Sequence, residues 1–372
     1  MSHTRTSKKA EVTVLCTTYC GKTAFQFHRI PPQVKCLLPP FPDVTTQSGK
    51  WNYPSSGNIF ENITLPLTAL VTSRPERRNG KTVRTTLWTG ELPAEAFWED
   101  ESLGIRYASP LFILLTMAPS VSTVHLAMAA FEFCGAFSIF HPSTELQRHL
   151  DRLSNQRLIW PGGWKQVRDS QRKPTSLWKR DPLIELKDLH AFVQKTEGMR
   201  GHKKLAHAAR LVTGIAYSPF EVQASILLGA PRTQGGEGFG PFINNQRIAL
   251  TQQAAKLAGQ STCYADIFFG GTEKHQDIDI ECHGHMIHDG GAKAGLDANR
   301  TLALQSMGIE VMLLTSEQLY NPQRFEAFVN YLADTLCVHQ RPKTDAMKNR
   351  KRELYTQLFI DWETLGEPSR QR

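Results

Sequence analysis

The twelve residues "DIDIECHGHMIH", Asp277 to His288, carry carboxylates at Asp277, Asp279 and Glu281, a thiol at Cys282 and imidazoles at His283, His285 and His288. Side chains of these types can hold zinc, hold a harder divalent cation, or form a polar turn at the end of a buried strand. Two carboxylates upstream bear on the choice. Asp266 sits inside the apolar run "TCYADIFFGG", and Glu221 follows the helix-start signal "SPFE". A carboxylate within an apolar strand is costly to bury without a partner or a metal. Asp266 and Glu281, on neighbouring strands joined by a short hairpin, can come close together. With Glu221 they would make an oxygen-rich cage suited to Mg²⁺ or Mn²⁺. Such a cation lowers the pKa of a bound water and polarises a phosphodiester. His283 and His288 stand where an imidazole could position or deprotonate that water.

Plainer readings compete residue by residue. Asp266 could lie near a turn and face solvent. Asp277 and Asp279 alternate with Ile278 and Ile280, which is most simply the solvated face of a strand. Glu221 at the third helical position is what helix capping and the helix dipole favour. Zinc remains an alternative: "HGHMIH" is similar to the His-x-His-x-Asp-His signature of metallo-hydrolases, with Ile287 where the Asp belongs. A second zinc grouping of Cys16, Cys20, His28 and Cys36 matches no familiar spacing.

The elements that must position these residues are most legible from Ser218 to Cys337. Ser218 as N-cap and Pro219 at the first helical position open a helix that Gly229 and Pro231 stop. "FINNQRIAL", "TCYADIFFGG" and "DIDIEC" read as three strands. "AKAGLDANRTLALQSMG" reads as a helix closed by Gly308, "IEVMLLT" as a buried strand and "NPQRFEAFVNYLADTLC" as a final helix. The succession α-β-β-β-α-β-α predicts a small mixed sheet covered by helices, and the class is α/β of the mixed α+β kind. Upstream, "EVTVLC", "LTALVTS" and "TVRTTLW" are strand-like and "VHLAMAAFEFCGAF" is helical. "LIELKDLHAFVQKT" and "HKKLAHAARLVTGIA" predict a helical connector.

The chain of 372 residues is long enough for two domains. The expected division is an α+β domain over 1–145, a basic linker and helical connector over 146–210, the site-bearing domain over 211–340 and a basic, helical tail over 341–372. Seven cysteines, an odd number, suit reduced thiols in a cytoplasmic protein. No apolar run reaches the roughly 18 residues of a membrane span, and the N-terminus lacks the apolar region of a secretory signal. The net charge of +8 is concentrated in "WKQVRDSQRKPTSLWKRD" and "HQRPKTDAMKNRKRE". Such clusters suit a phosphate backbone, or a solvated linker and tail.

The run "SPFE", "ADIFF", "DIECHGHMIH", "LDANRTLALQSMGIEVMLLTSEQL" resembles the PD-(D/E)XK nuclease superfamily. More closely, it resembles the branch related to the very-short-patch-repair (Vsr) endonucleases, as found at the C-terminus of many actinobacterial AbiEi-type antitoxin-like proteins. The branch pattern falls on Glu221, Asp266, Glu281, Gly284, His288, Asp297 and Arg300, with Gly308 and Val311 in the closing element. His283 stands where the branch has Asp, and Ile287 replaces the first His of its His-His pair. "LTALVTSRPERRNGKTVRTTLWTGELP" and "LGIRYASPLFILLTMA" are also similar to those proteins, without the winged helix that usually begins them.

The resemblance implies a restriction-endonuclease-like αβββαβ core and Mg²⁺- or Mn²⁺-dependent hydrolysis of DNA, in a phage-defence or toxin-antitoxin setting. Asp266 and Glu281 would hold the metal and Glu221 would support a ligand water. His283 and His288 would move protons, and Arg300 would steady the site. The alternative it implies is a catalytically degraded fold that binds DNA, with a toxin protein as possible partner.

Overall fold

In the computed structural model, which describes residues 17–38, 63–101, 103–155, 160–284 and 291–368 (155 and 291–297 by backbone alone), helices alternate with short strands. The expected strand "EVTVLC" lies outside those residues. The first sheet is built around β1 (Thr18–Tyr19), which leads directly into α1 (Gly21–Arg29) and the short α2 (Pro32–Lys35). It gains β2 (Leu67–Val71), β3 (Val83–Leu87), β4 (Phe97–Asp100) and β5 (Ile105–Ala108), in the order β3-β2-β1-β5-β4. The strands expected over "LTALVTS" and "TVRTTLW" are β2 and β3, paired in parallel.

Two apolar helices follow, α3 (Pro110–Met117) and α4 (Thr123–Cys134). Every residue of α4 from Leu126 to Cys134 is buried, as a helix apolar on all sides requires. Glu132 is the exception in type, and it is fully buried. Arg29 of α1 compensates it through hydrogen bonds of 2.8 and 2.5 Å, and also donates to the Trp362 carbonyl at 2.7 Å. One buried ion pair thus ties α1 to α4 and to the C-terminal segment. Removing either partner of such a pair costs about 3–5 kcal/mol.

The basic stretch from Trp164 to Asp181 is not an extended linker. Around it form β6 (Phe137–Ile139), α5 (Thr144–Asn155), β7 (Lys165–Arg168) and β8 (Pro174–Lys179), with an antiparallel sheet in the order β6-β8-β7. The tryptophans explain the difference. Trp178 is buried, packs edge-on against Trp164 and Phe140, and donates from its indole N–H to the Phe140 carbonyl. Part of the positive charge is engaged internally: Arg180 is buried on the Glu132 carbonyl, and Arg168 pairs with Asp151 at 2.7 Å. The expected connector helices are α6 (Leu186–Lys195) and α7 (His202–Ala209).

The remainder contains α8 (Pro219–Gly229), β9 (Ile243–Ala249), α9 (Gln252–Ala258), β10 (Thr262–Phe269), β11 (Ile278–His283), α10 (Gly291–Ser306) and β12 (Glu310–Thr315). After them come α11 (Ser316–Tyr320), α12 (Pro322–Thr335) and α13 (Asp345–Leu358). The sheet order is β12-β11-β10-β9: an antiparallel meander with β12 added in parallel beside β11. The αβββαβ succession is present, with α9 and α11 as additions. The "IEVMLLT" strand is an edge and not a buried strand. Among the described residues no strand pairs with the outer edge of β12, and Leu313 is half exposed.

The C-terminal basic stretch is helical as expected, but it folds back onto the core, burying Leu354, Leu358, Trp362 and Leu365. Lys343 and Lys351 both pair with the fully buried side chain of Glu237, at 2.8 and 2.6 Å, and both also reach Glu326. Gly235, at φ +95°, allows that loop to pass α13 so closely that a Cβ would meet the Arg350 carbonyl. The main buried apolar cluster runs from Tyr19 to Leu365, and a smaller one, with Ile248, Cys263, Ala265, Leu304 and Ile309, lies between the third sheet and α10. Among the described residues, no helix is long and apolar enough to cross a membrane.

Candidate carboxylate site

The antiparallel register pairs Ile267 with Ile280. One step further, Asp266 stands opposite Glu281, close enough for the two charges to raise each other's cost. Asp266 is fixed at both ends of its side of the ladder. Its Oδ2 accepts from the Cys282 amide at 2.8 Å, and its carbonyl accepts from Asn244 Nδ2 at 3.1 Å. Asn244 is buried and also donates to Ser225 Oγ at 2.7 Å, while Ser225 Oγ donates to the Glu221 carbonyl at 2.7 Å. A chain of hydrogen bonds therefore holds Asp266 relative to α8.

Glu221 reaches the cluster from α8, and its carboxylate is engaged locally. It accepts from the Tyr217 amide at 2.7 Å and the Ser218 hydroxyl at 2.8 Å, while Ser218 Oγ accepts from the Glu221 amide. This is reciprocal N-terminal capping, so Glu221 is structural in these contacts and also a neighbour of Asp266. Burial, and then Asp266, push its pKa up, against the opposing Tyr217 and Ser218 hydrogen bonds.

Asp279 corrects the expectation of a solvated face. It is fully buried, and neither oxygen has a hydrogen-bond donor. The reason is the position of β11 between β10 and β12, since the crossover through α10 covers the second face of the sheet. Two residues on, Glu281 shares that face and lies within hydrogen-bonding reach of Asp279. Two carboxylates can bond directly only by sharing a proton. Burial pushes both upward, Asp279 to about 6 and Glu281 to about 9, the latter helped by the charge of Asp279. Arg300 opposes the rise. It donates to both Glu281 oxygens, at 2.9 and 2.6 Å, and to the Tyr264 carbonyl.

Of the residues singled out in the sequence, Glu221, Asp266, Glu281 and Arg300 converge here. His283 ends β11 half-buried, whereas His285 and His288 lie outside the described residues and the side chain of Asp297 is not described. Sequence reasoning missed Asp279 as a member and Asn244 as the residue that holds Asp266. The other zinc grouping is divided. Cys16 lies outside the described residues, and the Cys20 thiol is pushed up to about 12 by burial. His28 contacts the Ala108 carbonyl at 3.2 Å amid Trp98, Tyr107 and Phe133, and Cys36 is exposed.

The donor set suits a hard divalent cation by type: carboxylates that repel one another, with Asp279 fully buried and facing no partner but the carboxyl of Glu281. By position it is occupied in part by protein. Among the described residues no group of three His, Cys, Asp or Glu is placed to hold a metal ion, and Arg300 covers Glu281. In comparisons with family models, curated proteins and solved structures, nothing matches this chain.

Proposed function

We propose that the chain is a divalent-metal-dependent endonuclease that hydrolyses DNA phosphodiesters in the cytoplasm. The observation that carries this reading is the convergence of half-buried Asp266 with buried Asp279 and Glu281 on adjacent strands, with buried Glu221 beside them from α8. Burying so much carboxylate is unfavourable unless a cation or protons offset it. Asp266 and Glu281 are the residues that would hold Mg²⁺ or Mn²⁺, with one Glu281 oxygen released by Arg300. The bound cation would supply charge stabilisation at the phosphoryl group and an activated water. The chain itself supplies orientation: Asn244 and the Cys282 amide set Asp266, and Ser218 sets Glu221. His283, two residues beyond Glu281, would hydrogen-bond a nucleophile or a leaving oxygen in this reading.

The test is cleavage of supercoiled plasmid by the full chain in Mg²⁺ or Mn²⁺, beside Asp266→Asn and Glu281→Gln. Metal-dependent nicking lost in both variants supports the reading. Nicking that persists in both defeats it.

A second reading is favoured by Arg300. A guanidinium bound to both oxygens of Glu281 stands in for a cation there, and the domain would then bind DNA without cutting it, as a regulator or antitoxin with a toxin protein as partner. Retarded mobility of DNA, with no cleavage in any metal, is its expected signature.

A further inference from the structure

Apart from the carboxylates, the first sheet and α3 line a half-open cleft of about 710 Å³, within the size range of small-molecule sites. Its floor is apolar, with Leu87, Trp88 and Leu115, and four cations line it: Lys22, Arg77, Arg84 and Arg200. Lys22 is the informative one. It is over nine-tenths buried, and its ammonium meets Glu367 at 3.7 Å, a carboxylate that is itself half exposed. Burial lowers its pKa, Glu367 opposes this, and the nearby Arg84 lowers it further. The three arginines are exposed and form no ion pair among the described residues. Glu91, on the rim, is the acidic residue of the lining.

A buried lysine beside three arginines, set against Glu91 on the rim and Glu367 at the Lys22 ammonium, leaves excess positive charge around a half-open cleft. The N-terminus of α1 is not the source of this field. The Gly21 and Thr23 amides donate to Thr116 and Thr68 and are already satisfied. The ligand must therefore be met by side chains, and arginine forks suit the oxygens of phosphates.

We propose that this cavity binds a phosphorylated small molecule of nucleotide size, its phosphates on Lys22 and Arg84 and its apolar part toward Trp88 and Leu115. Glu367, on the segment whose neighbours Gly366 and Pro368 also line the cavity, occupies the Lys22 ammonium when the ligand is absent. The proposal is independent of the chemistry of the carboxylate site.

The test is titration calorimetry of the full chain in EDTA with pyrophosphate, ATP and adenosine. Saturable one-to-one binding of ATP and pyrophosphate, but not adenosine, is expected. Arg84→Gln and Lys22→Met should each weaken binding by about tenfold or more, Glu367→Gln should strengthen it, and Asp266→Asn should leave it unchanged. Arg84 is exposed, so its variant tests the site even if Lys22→Met fails to fold. No saturable binding at millimolar ligand, binding indifferent to Arg84→Gln, or binding lost in Asp266→Asn would overturn the proposal.

Discussion

Arg300 grips both carboxylate oxygens of Glu281, reaching from α10 to the central strand of the sheet. The same guanidinium also meets the Tyr264 carbonyl on β10, so one side chain joins three elements. Its charge is the counterweight to the buried carboxylates.

Arg300→Gln removes that counterweight. Losing one partner of a buried pair costs about 3–5 kcal/mol, and the partial exposure of Arg300 brings the expectation to about 2–3 kcal/mol. A cation that binds only the folded state restores stability by mass action. Thermal melts should therefore show a lower Tm for Arg300→Gln in EDTA, and a larger gain on adding Mg²⁺ or Mn²⁺ than the parent protein shows. Equal gains in both proteins would mean that no cation takes the place of the guanidinium.

The Asp279–Glu281 pair sets a pH dependence. Its pKa values are raised in the folded state, to about 6 and about 9, so the folded protein binds more protons than the unfolded chain between pH 4 and those values. Stability from the pair is present in full below pH 4 and is lost as pH rises through that window. Other buried groups titrate as well, so the measurement is a difference. Asp279→Asn should melt at a higher temperature than the parent at pH 8 in EDTA, and the advantage should shrink toward pH 5. A difference independent of pH would show that the two carboxylates do not share a proton.

Much of this site was legible in the sequence, because its informative features are local. Ser218, Pro219 and Glu221 mark a helix start by their side-chain chemistry, and the apolar runs around Asp266 and Glu281 mark strands. What was illegible depends on layers. The alternation of Asp277 to Ile280 looks the same whether the second face of a strand meets water or α10. The expectation of a sheet covered by helices already contained the answer for Asp279, since a strand central to such a sheet has no solvated face. The basic stretches misled for a related reason. Composition counts Lys343, Lys351 and Arg180 as surface charge, and only the fold brings Glu237 and the Glu132 carbonyl to them.

That distinction separates two kinds of basic residue on one helix. Lys351 is committed to Glu237 and Glu326, whereas Arg350 and Arg352 on α13 are exposed. In the DNA-binding reading, neutralising a lysine or arginine that contacts phosphate reduces the slope of log affinity against log salt by about 1. Arg350→Gln and Arg352→Gln are expected to lower that slope without loss of stability. Lys351→Gln should leave the slope unchanged and destabilise the fold, by leaving Glu237 with one cation in place of two. Filter binding across a salt series, beside melts, separates these outcomes, and a slope indifferent to both arginines would remove α13 from the interface.

Asn244 offers the sharpest link between scaffold and chemistry. It touches neither Glu281 nor Glu221 through its side-chain hydrogen bonds, yet its amide connects Ser225 on α8 to the Asp266 carbonyl on β10, and its Oδ1 accepts from the Thr213 hydroxyl at 2.5 Å. Asn244→Ala leaves these buried groups unpaired, at about 1–3 kcal/mol, and frees Asp266 to shift along the ladder. In the nuclease reading a small misplacement of a metal-holding carboxylate lowers the rate of the chemical step far more than substrate affinity. Asn244→Ala should therefore retain DNA binding at a temperature well below its Tm while cleavage under single-turnover conditions falls at least about tenfold. Asn244→Asp cannot donate to Ser225 and the Asp266 carbonyl, and it should show the same loss. Cleavage at the parent rate in either folded variant would show that Asp266 is held by the Cys282 amide alone.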